Sequence, residues 1–514
     1  MTIACARAGA QRRRQPAWAI AAIFAAYLAM LICAHGRVPP ALNNDVAEEG
    51  LRAVYLVQGH HLEVMTFAVG FSAETLYLYL VGGMIQLFGR TVLSIQLVSW
   101  LFALACLWLV RHLVACLTDT IPAWIPVLTG ASSIWLFHYA MAGLRAISAP
   151  VFVGAFALLL DRVERGGTRR IAFLCGAVLG LSIYAYTSAR VLPVAFVLYA
   201  ALRLVRSWRD KAVLFRRYGV IILGTLVVSI PNTVLLIQRP RDFLSRGSYV
   251  ARGTAADMAT NAFWSILFPF HYPDFYRHTL TYTFSFDAVC AGLTLTGVNP
   301  IHWVMAVAML IGLWQGRPYA GQPVMAFLLA TWVAAMAVLG WTGPSLTRLL
   351  ILWPVYMVLA ALGVGFLIDR WRWLRIPVLL LILFVGGSDA YRYVSGEGRS
   401  PQEYSLSFNT AATAIGERAR TLESHGERVL CVISRDASVV KYLAGEAGLL
   451  GIVEFYNRPF VPSELPLDNF RPTIVLIEDY PTFRSFTDRI RPELLVAHNA
   501  FFREVRMPPR TQTD

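Results

Sequence analysis

Long apolar runs, punctuated by single basic residues or short basic stretches, fill the chain up to about residue 388. A helix needs about 20 mostly apolar residues to cross a hydrocarbon core roughly 30 Å thick. On that measure, spans are predicted near 17–34, 92–110, 121–138, 144–160, 171–187, 190–206, 218–237, 301–314, 323–341, 347–368 and 374–388. The stretch 75–88, TLYLYLVGGMIQLF, is short for a span and contains a Gly-Gly pair and Gln86. Counting it as a crossing inverts everything after it, so the distribution of basic residues arbitrates. Without that crossing, the cytoplasmic pieces hold Arg7, Arg12 to Arg14, Arg111, four arginines in 161–170, six basic residues in 203–217, Arg317 and three arginines in 369–375, a total of 19. With it, 15 of these face the wrong side, so 75–88 is read as a juxtamembrane or re-entrant helix on the outer face.

Three outer regions remain: a first loop (35–91), a long loop (238–300) and the tail. In the tail, 428–434 and 473–478 read as strands and 409–424 and 436–444 as helices. The expected architecture is an α-helical polytopic membrane protein of about eleven spans. A transmembrane domain covers 1–388, and a small C-terminal α/β extracytoplasmic domain covers 389–514.

Composition supports this: 57% of the 514 residues are hydrophobic and only 15% are charged, too apolar for a water-solvated surface. The net charge of +14 does not point to nucleic acid, because the basic residues punctuate apolar segments rather than lining one stripe. Seven scattered cysteines with no CxxC pair argue against a disulfide framework or a zinc site. The run Ala17 to Cys33 follows Arg12 to Arg14 like a signal peptide. It is long enough to span, however, and Ala34-His35-Gly36 is a poor cleavage site, so an uncleaved first helix is expected.

Candidate chemistry lies on the outer side. The first loop contains NNDVAEEG, whose Asp45, Glu48 and Glu49 can act as a general base, hold a divalent metal, or simply be a solvated acidic loop. No cofactor is otherwise called for. Arg145, Arg190 and Arg348 stand at outer ends of spans, where positive charge is disfavoured and an unpaired guanidinium is costly. A lipid phosphate would satisfy several of them at once, and snorkelling to headgroups is the plainer alternative. The long loop carries FPFHYPDFYRH, where His271 and Asp274 among aromatics suit either a sugar- or acceptor-binding surface or an interfacial aromatic belt.

At these residues the chain resembles bacterial membrane glycosyltransferases of the dolichyl-phosphate-mannose protein mannosyltransferase type, family 39 of the GT-C superfamily. The stretches that carry the resemblance are DVAEEGLRAVYLVQG, AETLYLYLVGGMIQLFGRTVLSIQLVSWLFAL, GLRAISAPVF, GLSIYAYTSARVLP and PRDFLSRGS, in that order. The family's first-loop catalytic acid falls on Asp45, and the second position of its acidic pair falls on Val46, with Glu48 or Glu49 nearby. The glutamate of an Arg-Glu-Pro-Leu-like stretch falls on Glu74, flanked here by Ala73 and Thr75.

The resemblance implies a polyprenyl-phosphate-linked sugar as donor, transferred with inversion to a glycan, lipid or protein acceptor. It also implies a bacterial inner (plasma) membrane location and a juxtamembrane helix in the first outer loop, while the count of basic residues puts the C-terminal domain on the periplasmic side. Two other classes fit the composition. A transporter or flippase for a lipid-linked saccharide is opposed by the lack of a clear inverted repeat and of an acidic residue buried in mid-span. An inactive family member acting as an assembly subunit is kept open by Val46.

Overall fold

The computed structural model describes residues 17–37, 41–59, 63–66, 73–206, 211–241, 255–267, 301–343, 345–395, 409–434, 437–445, 449–455, 472–479, 494–498 and 501–507. His271 and Asp274 lie outside the described residues. The apolar runs form helices because, in lipid, every backbone amide must find its partner within its own segment. Among the described residues, eight helices are long and apolar enough to cross a membrane: Ala17–Ala34, Val92–Leu117, Arg145–Glu164, Thr187–Arg206, Lys211–Gln238, Pro323–Thr342, Leu346–Arg370 and Arg372–Ser395. The protein is a multi-pass α-helical membrane protein.

The other three expected spans are shorter elements. Arg169–Ser182 and Trp303–Gln315 are helices of 14 and 13 residues, and 121–138 differs from the single span expected there. It is two helices, Trp124–Ala131 and Ile134–Ala142, separated at Ser132 and Ser133. Ser133 is extended (φ −77°, ψ 106°), the Ser132 hydroxyl donates back to the Thr129 carbonyl (2.9 Å), and Trp353 Nε1–H donates to Ser133 Oγ (3.0 Å). The Ser132 side chain thus takes up a backbone carbonyl at the break, and Trp353 ties the Ser133 side chain to a later helix. The stretch at 75–88 forms the helix Leu76–Phe88, whose 13 residues extend about 20 Å.

The chain divides into two units. The first comprises Met1–Ala34, Leu62–Tyr77 and Leu97–Glu397. At its centre, Leu346–Arg370 has 89% of its apolar window buried, whereas Ala17–Ala34 has only 17%. Helices Trp303–Gln315 and Trp353–Arg370 cross with their backbones in close approach. A Cβ at Gly312 would overlap the Leu359 carbonyl, and one at Gly363 the Ala308 carbonyl, which is the small-residue contact that lets membrane helices associate. A two-residue antiparallel ladder, β1 (Met65–Thr66) with β2 (Ala73–Glu74), also belongs to this unit.

The second unit comprises His35–His61, Leu78–Gln96 and Gly398–Asp514. Its sheet has the order β4-β3-β5-β7-β6, with β3 Val429–Ile433, β4 Leu449–Glu454, β5 Thr473–Glu478, β6 Leu495–His498 and β7 Phe502–Met507. Strand β3 runs parallel to β4 and β5, while β7 is antiparallel to β5 and β6. Both expected strands and both expected helices are present, as Thr410–Ser424 and Ala437–Ala444 for the helices; β4, β6 and β7 are additional. One sheet face buries Leu430, Val432, Val475, Ile477 and Val505 in a common core. On the other, Arg418 of Thr410–Ser424 forms a forked pair with the buried Glu504 (2.7 and 3.0 Å), which raises the arginine's proton affinity. Burial pushes the Cys431 thiol up to about 12.

The segment after the first apolar helix supplies this unit with the helix Asn44–Gln58, which packs on Ala437–Ala444. Gly50 lies against the Tyr442 ring, and the Leu42 amide donates to Thr413 Oγ1 (3.2 Å). Tyr442 OH donates to the Thr91 carbonyl (3.0 Å).

Candidate functional site

In the first unit, each of the three arginines expected at outer ends of spans sits on a tight turn that opens a helix. Arg145 begins the 3₁₀ turn Arg145–Ile147 before Ser148–Glu164. Arg190 ends the turn Thr187–Arg190 before Val191–Arg206. Arg348 lies in Leu346–Leu349, which continues through Leu350–Leu352 into Trp353–Arg370. Gly143 takes the left-handed conformation (φ 80°) that ends the preceding helix and turns the chain toward Arg145.

These turns are neighbours. Leu346–Leu349 packs on Thr187–Arg190, and Leu350–Leu352 packs on Arg145–Ile147. Three residues scattered over two hundred positions of sequence thus come from one cluster of helix starts, where N-terminal dipoles add positive potential.

Glu74 joins them. It ends β2 and is 2% exposed. Its Oε1 lies 3.0 Å from Arg190 Nη2, and its Oε2 lies 3.8 Å from Arg145 Nε. Thr187 Oγ1 donates to Oε1 (2.8 Å). The Arg145 guanidinium also faces the Tyr186 ring, 5.7 Å from its centroid.

The strand end is fixed from both sides. The Leu76 amide donates to the Tyr184 carbonyl (3.0 Å), and Thr75 Oγ1 donates to the Glu63 carbonyl (2.7 Å). Tyr77 OH donates to the Gly143 carbonyl (2.9 Å). The sequence reading sought a phosphate partner for the arginines and placed Glu74 among the substrate-binding groups. In the fold, Glu74 itself is the partner of Arg145 and Arg190. The side chains of Tyr186 and Thr187 were not singled out, although both lie inside the quoted YAYTSAR stretch. Arg348 Nη1 donates to the Thr342 carbonyl (2.9 Å) and is partly buried.

The opposite end of Ser148–Glu164, about 25 Å away by helix rise, carries a second polar cluster. There the Glu164 carboxylate accepts from Tyr199 OH (2.8 Å), Tyr218 OH and Arg203 Nη2 (2.6 Å). Arg203 is one of the basic residues read as marking the cytoplasmic side, and its partner is internal.

In the second unit, NNDVAEEG is the start of a helix rather than a loop. Asn43 caps Asn44–Gln58 by accepting from the Asp45 amide (2.8 Å). Asp45 is exposed in the first turn, where a negative charge suits the helix dipole. Glu48 pairs with Arg52 (3.0 Å), and Glu49 is buried at 4% exposure. Of the three acids, Asp45 alone is exposed. Among the described residues, no group of three or more His, Cys, Asp or Glu side chains is arranged to hold a metal.

One expectation is corrected. The last apolar helix runs to Ser395 instead of ending near 388, so Asp389 is a buried acid (3% exposed) within a spanning helix.

No family model and no curated protein matches this chain. Solved structures do, among them the following two. Both are ArnT from Cupriavidus metallidurans: one bound to undecaprenyl phosphate (TM-score 0.64, 12% identity, 95% of this chain and 97% of that one), the other in the apo state (TM-score 0.59, 11% identity, 94% and 97%). At these identities the likeness is one of fold, and it spans nearly the whole of both chains: this chain shares the fold of those two structures.

Proposed function

We propose that the protein is a membrane glycosyltransferase that moves a sugar from a polyprenyl-phosphate-linked donor to a glycan, lipid or protein acceptor on the outer face of the membrane. The observation that carries this reading is the convergence of Arg145, Arg190 and Arg348 on adjoining helix starts, with Glu74 between the first two. Glu74 offsets one of the three positive charges and orients two guanidinium groups. Counted together, the three guanidinium groups and the Glu74 carboxylate carry a net positive charge, which suits a lipid phosphate. The likeness in fold to ArnT bound to undecaprenyl phosphate supports the same donor class.

The chemistry suits that charge. The acceptor oxygen attacks the anomeric carbon, the bond from that carbon to the phosphate oxygen breaks, and the acceptor proton passes to a base. The donor phosphodiester carries one negative charge and the departing polyprenyl phosphate carries more. Arginines therefore bind the leaving group more strongly as the bond breaks, which is transition-state stabilisation without protonation of the leaving group. Single displacement inverts the anomeric centre. Asp45 is the base in this reading, as the family resemblance implies and as its exposure permits.

The test is transfer from a polyprenyl-phosphate sugar by the purified protein, together with binding of a polyprenyl phosphate against the matching polyprenol. Charge-assisted bonds to phosphate are each worth about 1.5–3 kcal/mol. Arg348→Ala is expected to weaken donor use about tenfold or more, while Arg165→Ala, on the loop after Glu164, changes little. Equal losses at both positions, or equal binding of the phosphate and the alcohol, would remove the phosphate assignment.

A further inference from the structure

The proposed sugar transfer assigns no part to the buried acid of the last helix, and its surroundings point to one of its own. Asp389 lines a cavity of about 10 Å³, the size of one water, together with Ser132, Ser133 and His302, closed on its apolar side by Met305 and Met357. Three elements bring the polar groups together. The serines are the break between Trp124–Ala131 and Ile134–Ala142, His302 is the N-cap of Trp303–Gln315, and Asp389 belongs to Arg375–Ser395. Gly386, one turn before Asp389, is so near Ser132 that a Cβ there would stand 2.7 Å from the serine Cβ. Irregular backbone is tolerated in a membrane protein only where it is buried in protein or lines a polar cavity.

Hydrogen-bond accounting limits the occupant. Among the described residues, no side chain or amide bonds the Asp389 carboxylate directly. His302 Nδ1 accepts from the Val304 amide (3.3 Å), so the proton of the neutral ring is on Nε2. Ser132 Oγ uses its hydrogen on the Thr129 carbonyl and keeps a lone pair. Ser133 Oγ accepts from Trp353 and keeps its hydrogen. The polar residues that line the cavity thus have two donors still to place, His302 Nε2–H and the Ser133 hydroxyl, and two acceptors, Ser132 Oγ and Asp389. That set matches one water molecule. A metal cation fits poorly, because two of the four groups present hydrogens.

We propose that this cavity is a buried water and proton site, in which one water bridges His302 to Asp389 and the Asp389 carboxylate takes up and releases a single proton through it. On uptake, one O–H bond forms on the carboxylate and one breaks on the hydronium ion that delivers the proton; no other bond changes. Each element around the cavity contributes to the balance. Arg392 lies one turn along the same helix, and the N-terminal ends of Ile134–Ala142 and Trp303–Gln315 favour the ionised acid. His138 and Tyr393 are bonded to each other (2.6 Å) on the next turn. Helix Trp353–Arg370 presents Trp353 and Met357, which do not titrate. Opposing these is the cost of a carboxylate in a spanning helix without a direct partner. Occupancy by the proton therefore bears on how the last helix packs against two others.

Infrared difference spectra of the purified full-length protein in detergent, titrated from roughly pH 5 to pH 9 in H₂O and D₂O, test this. The expected result is one protonated-carboxyl band that titrates, shifts in D₂O and is missing from Asp389→Asn. His302→Gln and Ser133→Ala should each move its midpoint by about half a pH unit or more, and these two variants decide the matter if Asp389→Asn does not fold. A titrating band that survives in Asp389→Asn, a wild-type spectrum without one, or midpoints unmoved in both other variants would overturn the proposal. A midpoint that depends on sodium at fixed ionic strength would identify a cation site instead and also overturn it.

Discussion

Asp45 and Val46 are adjacent in sequence and opposite in environment. Asp45 is exposed at a helix start, while Val46 is 1% exposed on the packed side. The valine that stands where the resembled family has its second acid is thus placed where an apolar side chain is stable, and Glu48 is paired with Arg52. If Asp45 is the base, Asp45→Asn should preserve expression and donor binding while sugar transfer falls by roughly 10²–10⁴-fold, measured on purified protein with a polyprenyl-phosphate sugar. Glu48→Gln and Glu49→Gln serve as comparisons, and a loss confined to one of them would transfer the role. Wild-type activity in all three variants would reject the carboxylate mechanism. The types of these residues were legible in the sequence because charge at a membrane surface is conspicuous. The pairing of Glu74 with Arg145 and Arg190 was not, since nothing in local composition reports which distant turn a carboxylate will meet.

Elements were most legible where an apolar run met a clear boundary. Ala17–Ala34 and Pro323–Thr342 fall within a residue of their expected limits. The run 121–138 was read as one helix because the contact that accompanies the break at Ser132–Ser133, the indole of Trp353 on the Ser133 hydroxyl, comes from more than two hundred positions away. Helix crossings were likewise illegible, since a glycine in an apolar run looks the same whether it faces lipid or another backbone. Gly363→Leu should force apart Trp303–Gln315 and Trp353–Arg370 and cost about 1–3 kcal/mol or more, seen as a lower thermal unfolding midpoint in detergent. Gly83→Ala, with open space around its Cβ, should leave the midpoint unchanged. Equal behaviour of the two variants would show that the crossing is not a close backbone contact in the membrane protein.

For the whole molecule, the 19 basic residues assigned to cytoplasmic pieces predict a cytoplasmic N-terminus and an outer C-terminal tail. In a cysteine-free background, an impermeant thiol reagent applied to intact cells should label a cysteine replacing Ser463 in the tail and spare one replacing Ser207 in the 203–217 loop. The reverse pattern would invert the topology. Rupturing the cells should expose Ser207→Cys to the reagent; continued protection would mean burial rather than sidedness.

The sequence by itself determined the class of molecule and the positions of most helices and of two central strands. Both follow from local physics: lipid requires apolar runs with internally bonded backbones, and a buried parallel strand such as β3 reads as an uninterrupted apolar stretch. Tertiary structure alone decided that three arginine-bearing turns adjoin and that Glu74 lies between two of them. It alone joined the first-loop helix to the tail's helices, and it brought a pair of serines, a histidine cap and Asp389 around one small cavity. Each of these depends on contacts between residues far apart in sequence, whose energies come from burial and charge pairing that no window along the chain contains.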